Sequence, residues 1–356
     1  MERINCPICN GATSGRPAVI APFVVQTCGL EQSTTQVRYC RSCEFVFYQR
    51  GLADEEATKL YTNYRGEEYN KVRISLEPYY AGLIHDFEDP LSSYYVNRII
   101  ENIDLIDVYP ELPRNCTALD FGGDGDVLRR IFPNGQIFVD DLNAGKSPDQ
   151  PSTYQFIFAS NVFEHVSDPV TVLKALSERL DHEGVIYIDV PHPSQASLGE
   201  GLLWQGRHGG ELYEMHEHIL HFSKQSLAIL ARTAGLEVFF EHSSRGAHRN
   251  LTILAGHPES SIVQRLIVQK AARELDFEIK MMRAEVRGAF AHTETILKHF
   301  AELRPQVAEL RTQAVDLRTQ VAELRNQVGA MQRRSERKKF DIGRVFQKVK
   351  NKLGRH

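Results

Sequence analysis

The feature that most restricts the fold of this chain is a series of short apolar segments, each closed by a turn, that begins at Cys116. Ala118-Leu119-Asp120-Phe121 reads as a buried strand, followed by a glycine-rich turn and a helix over Val127–Phe132. Ile137-Phe138-Val139 is a second strand, ending in Asp140-Asp141. Phe156-Ile157-Phe158-Ala159 and Val185–Val190 are the third and fourth, with an amphipathic helix over Val170–Leu180 between them. Strands without polar alternation are buried on both faces, and connections long enough to hold a helix join parallel neighbours. The expected fold is therefore α/β, with a Rossmann-like, mostly parallel sheet and helices on both of its faces. Ser226–Ala234 reads as a further helix stopped by Gly235, followed by strands at Leu236–Phe240 and Leu251–Ala255.

Upstream lie two knuckles, Cys6-Pro-Ile-Cys9 and Cys40-Arg-Ser-Cys43, which hold four of the six cysteines. Four thiolates can converge tetrahedrally on one ion, and zinc suits all-sulfur ligation without a redox partner. With every position filled by protein, such an ion is structural. A redox dithiol or free thiols are the alternatives. Residues 1–50 are expected to form this zinc-binding head, and the lone Cys28 and Cys116 to sit in the core. Residues 51–115 read as a helical, tyrosine-rich cover. There Tyr61, Tyr64, Tyr69, Tyr79 and Tyr80 either line a pocket or pack in the core.

From Val268 to Met331 a heptad pattern holds for about nine repeats, interrupted in apolar character only at Thr293. It predicts a long helix and coiled coil over 257–332, giving a dimer or trimer, unless the proximal half packs on its own domain. Pro305 should kink it. Residues 333–356 carry ten Lys/Arg against Glu336 and Asp341, a net +8, so the rest of the chain, at −4 overall, carries −12. An acidic body argues against nucleic-acid binding. The tail, residues 340–356, can form a basic amphipathic helix that contacts anionic membrane, or remain solvated. Met1–Cys9 has no apolar signal segment and no stretch is apolar enough to span a bilayer, so the expected location is cytoplasmic, with the tail at the inner face of the plasma membrane.

The chemistry is expected at the strand ends. Gly122, Gly123 and Asp124 form a turn that lets the backbone pass beneath a nucleoside-type cofactor, and Asp120 can hold a cationic amino group. Asp140 and Asp141 are candidates to accept from two ribose hydroxyls, although an acid at a strand end is also a turn former. The third strand leads into Asn161-Val162-Phe163-Glu164-His165-Val166-Ser167-Asp168-Pro169, and His216-Glu217-His218-Ile219-Leu220-His221-Phe222 lies further on. In these segments the chain resembles the class I S-adenosylmethionine-dependent methyltransferases. The four-cysteine head and the run Tyr64-Arg65-Gly66-Glu67-Glu68-Tyr69-Asn70 resemble a zinc-headed subgroup associated with sugars and cell-surface glycans. The resemblance covers roughly residues 1–256.

It implies the seven-stranded sheet of that family over residues 116–256, with S-adenosylmethionine bound by Asp120, Gly122, Gly123, Asp124, Asp140, Asp141, Asn161 and Val162. It further implies methyl transfer to a sugar, glycan or nucleotide-sugar precursor in polysaccharide synthesis. For a hydroxyl acceptor a base is needed near neutral pH, and the candidates are His165 and, on the later loop, His216, His218 and His221, with Glu164 to orient a histidine or bind a metal; the three loop histidines could also hold a metal, although their i, i+2, i+5 spacing fits no standard helical ligand pattern. Trp204, Arg207 and His208 fall in a stretch, Leu198–Tyr213, that reads as a substrate lid or a surface loop. The chain departs from the family at Asp126, where a further glycine is usual, and at Gln155, where an acid is common. Crowding of the cofactor by Asp126 would make the chain a catalytically silent scaffold for a glycan-assembly complex, the alternative to an enzyme.

Overall fold

The structure is a computed structural model that describes residues 4–88, 115–141, 145–192, 213–243 and 250–280, with isolated positions at 105, 111, 282, 283, 305 and 309. The chain divides into two units, Met1–Met281 and Met282–His356. The distal heptads, the basic tail and the lid stretch over 198–212 lie outside the described residues.

The N-terminal part runs β1 (Thr13–Ile20), α1 (Pro22–Cys28), β2 (Thr34–Cys40), β3 (Val46–Tyr48), α2 (Asp54–Tyr61), α3 (Glu67–Leu76) and α4 (Ala81–Glu88). The next part runs β4 (Thr117–Phe121), α5 (Asp126–Ile131), β5 (Gln136–Asp141), β6 (Gly145–Lys146), β7 (Tyr154–Ser160), α6 (Pro169–Glu178) and β8 (Leu180–Pro191). Last come β9 (Tyr213–Met215), β10 (Leu220–His221), α7 (Lys224–Thr233), β11 (Glu237–Ser243), β12 (Asn250–Gly256) and α8, a helix over 261–280.

Seven strands form one sheet in the order β11-β12-β8-β7-β4-β5-β6. β8, β7, β4 and β5 are parallel, while β12 and β6 run against their neighbours. The apolar runs meet the requirement for burial on both faces: Leu119, Ile157 and Ile186 have no exposed surface. β4 is the switch point. The chain leaves it for β5 on one side and returns to β7 on the other, which opens a crevice at the carboxyl ends of β4 and β7. The helix behind β7 starts where its sequence says it should: the Asp168 carboxylate accepts from Val170 N and Thr171 N, both at 3.1 Å, with Pro169 in the first turn.

A second sheet has the order β10-β3-β2-β1-β9. Its centre comes from the first fifty residues, but both edges come from 213–221. β9 adds to β1 in parallel and β10 to β3 antiparallel. The same segment is tied to the end of β7, since Ile219 N and Leu220 N donate to Glu164 O at 2.9 and 3.0 Å. Segment 213–221 therefore bridges the head to the switch point.

α8 uses two faces. Val263, Leu266 and Phe277 are buried, whereas Val268 is 87% exposed and Leu275 61%. Glu183 secures its start, accepting from Ser260 Oγ at 2.7 Å and from Ile262 N at 3.1 Å.

Candidate active site

The glycine turn is built around two close approaches. Gly122 has φ 76°, and a Cβ there would stand 2.5 Å from Val162 Cγ2. A Cβ on Gly123 would stand 2.5 Å from both Asp120 carboxylate oxygens. Asp120 is buried, and its Oδ2 accepts from Gly125 N at 2.8 Å, which closes the turn. Asp124 Oδ1 accepts from Asp126 N at 2.9 Å. The Asp126 side chain is 68% exposed and pairs with Arg129 at 3.4 Å, so it opens α5 from the solvent side.

The paired acids at the end of β5 separate in role. Asp140 receives Arg179 Nη1 at 2.9 Å and Lys146 Nζ at 3.3 Å. Arg179 is held in turn by Gln150 and Tyr154. Successive strand residues face opposite ways, so Asp141 looks to the other side of the sheet. Asn161 takes a left-handed conformation, φ 52°, and its N–H is shared between Asp189 O and Asp189 Oδ1, each at 3.0 Å. Asp189 is a buried acid that sequence reading took only as part of a strand. It also accepts from Tyr187 and Asn250.

Just past Val162 the turn presents Glu164 and His165. Glu164 is 1% exposed, and its Oε1 lies 3.7 Å from His165 Nε2. The His165 and His218 rings meet edge to face with centroids 4.8 Å apart. Ligand atoms of all three residues fall within 4.8 Å of one another. Burial pushes the His165 imidazole down to about 3, with His218 adding to the fall, and burial pushes His218 down to about 4. Both rings are neutral at pH 7. His165 Nδ1 faces Tyr61 Oη at 2.7 Å and Glu217 O at 3.0 Å.

The tyrosines of the cover segment converge here rather than filling core alone. Tyr61 donates to Glu217 O at 2.9 Å, Tyr69 to Glu217 Oε2 at 2.8 Å and Tyr64 to Glu217 Oε1 at 3.4 Å. Behind them lies a buried charge network that sequence reading missed. Arg73 reaches Glu217 Oε2 at 2.9 Å and Glu77 Oε2 at 3.1 Å, and His216 Nε2 meets Glu77 Oε1 at 2.7 Å. Burial opposes ionisation of Glu217, yet Arg73 and His216 hold its carboxyl well below the usual range. Burial likewise opposes charge on His216, and the Glu77 hydrogen bond overrides it, raising the imidazole above its ordinary value. The i, i+4 spacing of Arg73 and Glu77 on α3 was the one available signal. His221 sits elsewhere, buried on β10 and edge-on to Tyr48 in the head's sheet. Burial drives it down to about 3.

The four knuckle cysteines meet as their spacing requires. Sγ atoms of Cys6 and Cys43, of Cys9 and Cys40, and of Cys9 and Cys43 are each 3.5 Å apart, and all four lie within 4.8 Å. Tetrahedral zinc–sulfur bonds of about 2.3 Å place sulfurs about 3.8 Å apart, so the cluster fits zinc. Both knuckles turn through a left-handed residue directly after the second cysteine, Asn10 (φ 56°) and Glu44 (φ 58°). Burial raises the Cys6 thiol to about 11 and pushes Cys43 up as well. At Cys40 burial is outweighed by the Cys43 and Ser42 amides, which bring it down to about 7. Four thiolates can coexist here only around a cation. Cys28 and Cys116 are buried core residues.

Among the described residues no helix is long and apolar enough to cross a membrane. No curated protein matches the chain. Among solved structures it is similar to an S-adenosylmethionine-dependent methyltransferase from Clostridium acetobutylicum (14% identity, 50% of this chain and 98% of that one, TM-score 0.36). It is also similar to the 1,6-didemethyltoxoflavin-N1-methyltransferase of Burkholderia thailandensis (18% identity, 49% and 84%, TM-score 0.35) and to the N-methyltransferase NodS of Bradyrhizobium japonicum (12% identity, 48% and 100%, TM-score 0.34). At such scores these likenesses add nothing to what the strand order shows. The family comparison is more direct, since residues 94–239 match the family described as a methyltransferase domain. That match spans the glycine turn, the paired acids, the Glu164–His165 turn and the histidine-rich segment.

Proposed function

We propose that the chain transfers a methyl group from S-adenosylmethionine to a hydroxyl of a sugar, glycan or nucleotide-sugar precursor. The observation that carries this reading is the junction of Gly122 and Val162 at the β4–β7 switch point. There the bare turn passes against Val162, where a Cβ would collide, two residues before Glu164 of the Glu164–His165–His218 cluster, and this reading sets the cofactor cradle along that turn. Gly122, Gly123 and Asp124 line the cradle, and Asp120 faces the amino group. Asn161 and Val162 close the far side. Asp140 and Asp141, at the end of β5, are assigned to the ribose hydroxyls, Asp140 being held in place by Arg179 and Lys146. Bound S-adenosylmethionine supplies a sulfonium methyl that is electrophilic without activation. An alcohol and the sulfonium give a methyl ether, a neutral thioether and one proton, so the domain must align the acceptor oxygen and let that proton leave. Glu164, His165 and His218 stand where this is done. His221, packed in the head's sheet, is left out of the proposed machinery.

The sugar acceptor is supported by the resemblance of the head and the Tyr64–Asn70 run, and by the number of polar groups gathered at Tyr61, Tyr64, Tyr69 and Glu217. The same reading gives the four cysteines a structural zinc ion. Self-association through the heptad segment is supported by the exposed Val268 and Leu275, which share one stripe of α8 while Val263, Leu266 and Phe277 pack inward. Contact of residues 340–356 with an anionic membrane completes the proposal. Calorimetry with S-adenosylmethionine tests its base. Binding that Asp140→Asn or Asp141→Asn weakens is expected, and no heat at saturating cofactor would end the enzyme reading. A screen of nucleotide sugars then identifies the acceptor.

A further inference from the structure

We propose that Glu164, His165 and His218 form a site for a divalent transition-metal ion, distinct from the four-cysteine centre, with open positions that take an oxygen of the methyl acceptor. Only the identity of that oxygen rests on the methyltransferase reading. The site itself rests on geometry.

The first argument is the spacing of the ligand atoms. Glu164 Oε1 and His165 Nε2 are 3.7 Å apart, beyond a hydrogen bond, which ends at about 3.2 Å. Two metal bonds of about 2.1 Å at a tetrahedral angle place their ligand atoms about 3.4 Å apart. The pair, with His218 completing a cluster confined to 4.8 Å, has the reach of three ligands on one ion.

The second argument is the tautomer. Glu217 O can only accept, and it lies 3.0 Å from His165 Nδ1 and 2.9 Å from Tyr61 Oη. Tyr61 spends its one proton on that carbonyl, so Nδ1 must carry a hydrogen to satisfy both of its neighbours. The bare lone pair is then on Nε2, the nitrogen turned toward Glu164. A lone pair facing a carboxylate oxygen is repulsive until a cation lies between them. A ligand histidine whose other nitrogen donates to a backbone carbonyl is the usual outer arrangement of a metal site.

The third argument is the way the cluster is held. Glu164 O accepts from Ile219 N and Leu220 N, so the backbone on either side of His218 is fixed against the backbone of Glu164. Two imidazoles and one carboxylate leave coordination positions open, as catalytic zinc sites do, where the four-cysteine set leaves none. An alcohol oxygen bound there would be a better acid than a free one.

The test uses the full chain with zinc in the cysteine centre and Mn2+ as the probe, since Mn2+ competes poorly for thiolates. Titration followed by electron paramagnetic resonance should show one Mn2+ bound per chain. Glu164→Gln and His218→Gln should each weaken it by about 100-fold or more, with zinc content unchanged by elemental analysis. Asp141→Asn, which loses the cofactor, should keep the Mn2+. Wild-type protein that takes up no Mn2+ at millimolar concentration overturns the site, as does binding that survives both substitutions. If cofactor binds and Mn2+ does not, the metal site falls and the methyltransferase reading stands. If Mn2+ binds as predicted and cofactor does not, the reverse holds.

Discussion

Removing the guanidinium of Arg73 is the sharpest test of how the site is held together. Arg73 is 7% exposed and pairs with Glu217 at 2.9 Å and Glu77 at 3.1 Å. It donates to Tyr69 Oη at 2.9 Å and lies 3.9 Å above the Tyr80 ring. With His216 positive and the two glutamates negative, these four buried charges sum to zero. Arg73→Met keeps most of the stem volume but leaves two buried carboxylates facing one imidazolium. Breaking a buried pair from one side costs about 3–5 kcal/mol. Loss of the cation–π contact adds about 0.5–2 kcal/mol. Against a domain stability of about 5–15 kcal/mol, the variant should be folded but markedly weakened.

Urea unfolding of wild type, Arg73→Met, Glu217→Gln and the double variant measures this directly. The double variant should be more stable than the sum of the two single losses predicts, because the second change removes the charge that the first left unpaired. The pH dependence has a definite sign. Glu217 and Glu77 are held below their ordinary values, so their contribution is full above about pH 4.3 and is lost as pH falls through the depressed values. His216 is raised, so its contribution is full below about pH 6.5 and is lost as pH rises through the raised value. The network is strongest between those limits, and Arg73→Met should move the acid flank upward. A loss below about 1 kcal/mol for Arg73→Met, or simple additivity in the double variant, would refute the reasoning.

Elemental analysis should find one zinc per chain, and chelation or Cys40→Ser should lower the melting temperature. A chain with intact thiols and less than about half an equivalent of metal would count against the site. Gly122→Ala places a methyl 2.5 Å from Val162 Cγ2 at φ 76°, so it should cost about 1–3 kcal/mol and weaken S-adenosylmethionine binding. Unchanged affinity in calorimetry would remove the cradle from the cofactor site. The Glu183 carboxyl is held down to about 2 by Ser260 Oγ and the amide of Ile262. Its hold on the start of α8 should persist above about pH 4.3 and fade as pH falls toward 2. Hydrogen exchange at Ile262 and Val263 should accelerate in that window, and Glu183→Gln should show the faster exchange at every pH.

The parallel sheet was legible because runs such as Phe156–Ala159 combine strand length with unbroken apolarity, a pattern set by local physics alone. The edges of the head's sheet were not. β9 and β10 are three and two residues long, too short to show a period, and their pairing is made by β1 and β3 from far away in the chain. The tyrosines were ambiguous for a different reason. Spacing on a helix reports which side a ring faces, while the phenol's acceptor decides whether it packs or binds, and that acceptor, Glu217, lies about 150 residues downstream (148 from Tyr69). Asp140 and Asp141 look alike in the sequence, and the ion pair of Asp140 with Arg179, from the end of α6, depends on a residue 39 positions away. For α8 the packed-helix reading accounts for the inward Val263, Leu266 and Phe277, while the heptad positions Val268 and Leu275 lie exposed, a 3.6-residue turn setting Phe277 and Leu275 on opposite sides two residues apart.

What joins the cysteine centre to the chemistry is the stretch 213–225. His216 faces Glu77, Glu217 faces Arg73 and Tyr69, His218 faces His165, and the amides of Ile219 and Leu220 grip Glu164. Beyond them the chain joins the second knuckle itself. Phe222 packs on Phe45 with centroids 4.9 Å apart, Ser223 Oγ donates to Cys43 O at 3.2 Å, and Gln225 Nε2 donates to Ser42 O at 2.9 Å. An ion bound by Cys40 and Cys43 fixes those two carbonyls, which fix the start of α7, which sets the register of the residues before it. Three residues separate His218 from Phe222, too few for slack at one end to be absorbed before the other. The structural ion proposed for the head would be remote from the proposed acceptor in ligands but close to it in constraint, because the carbonyls between them transmit position without sharing charge.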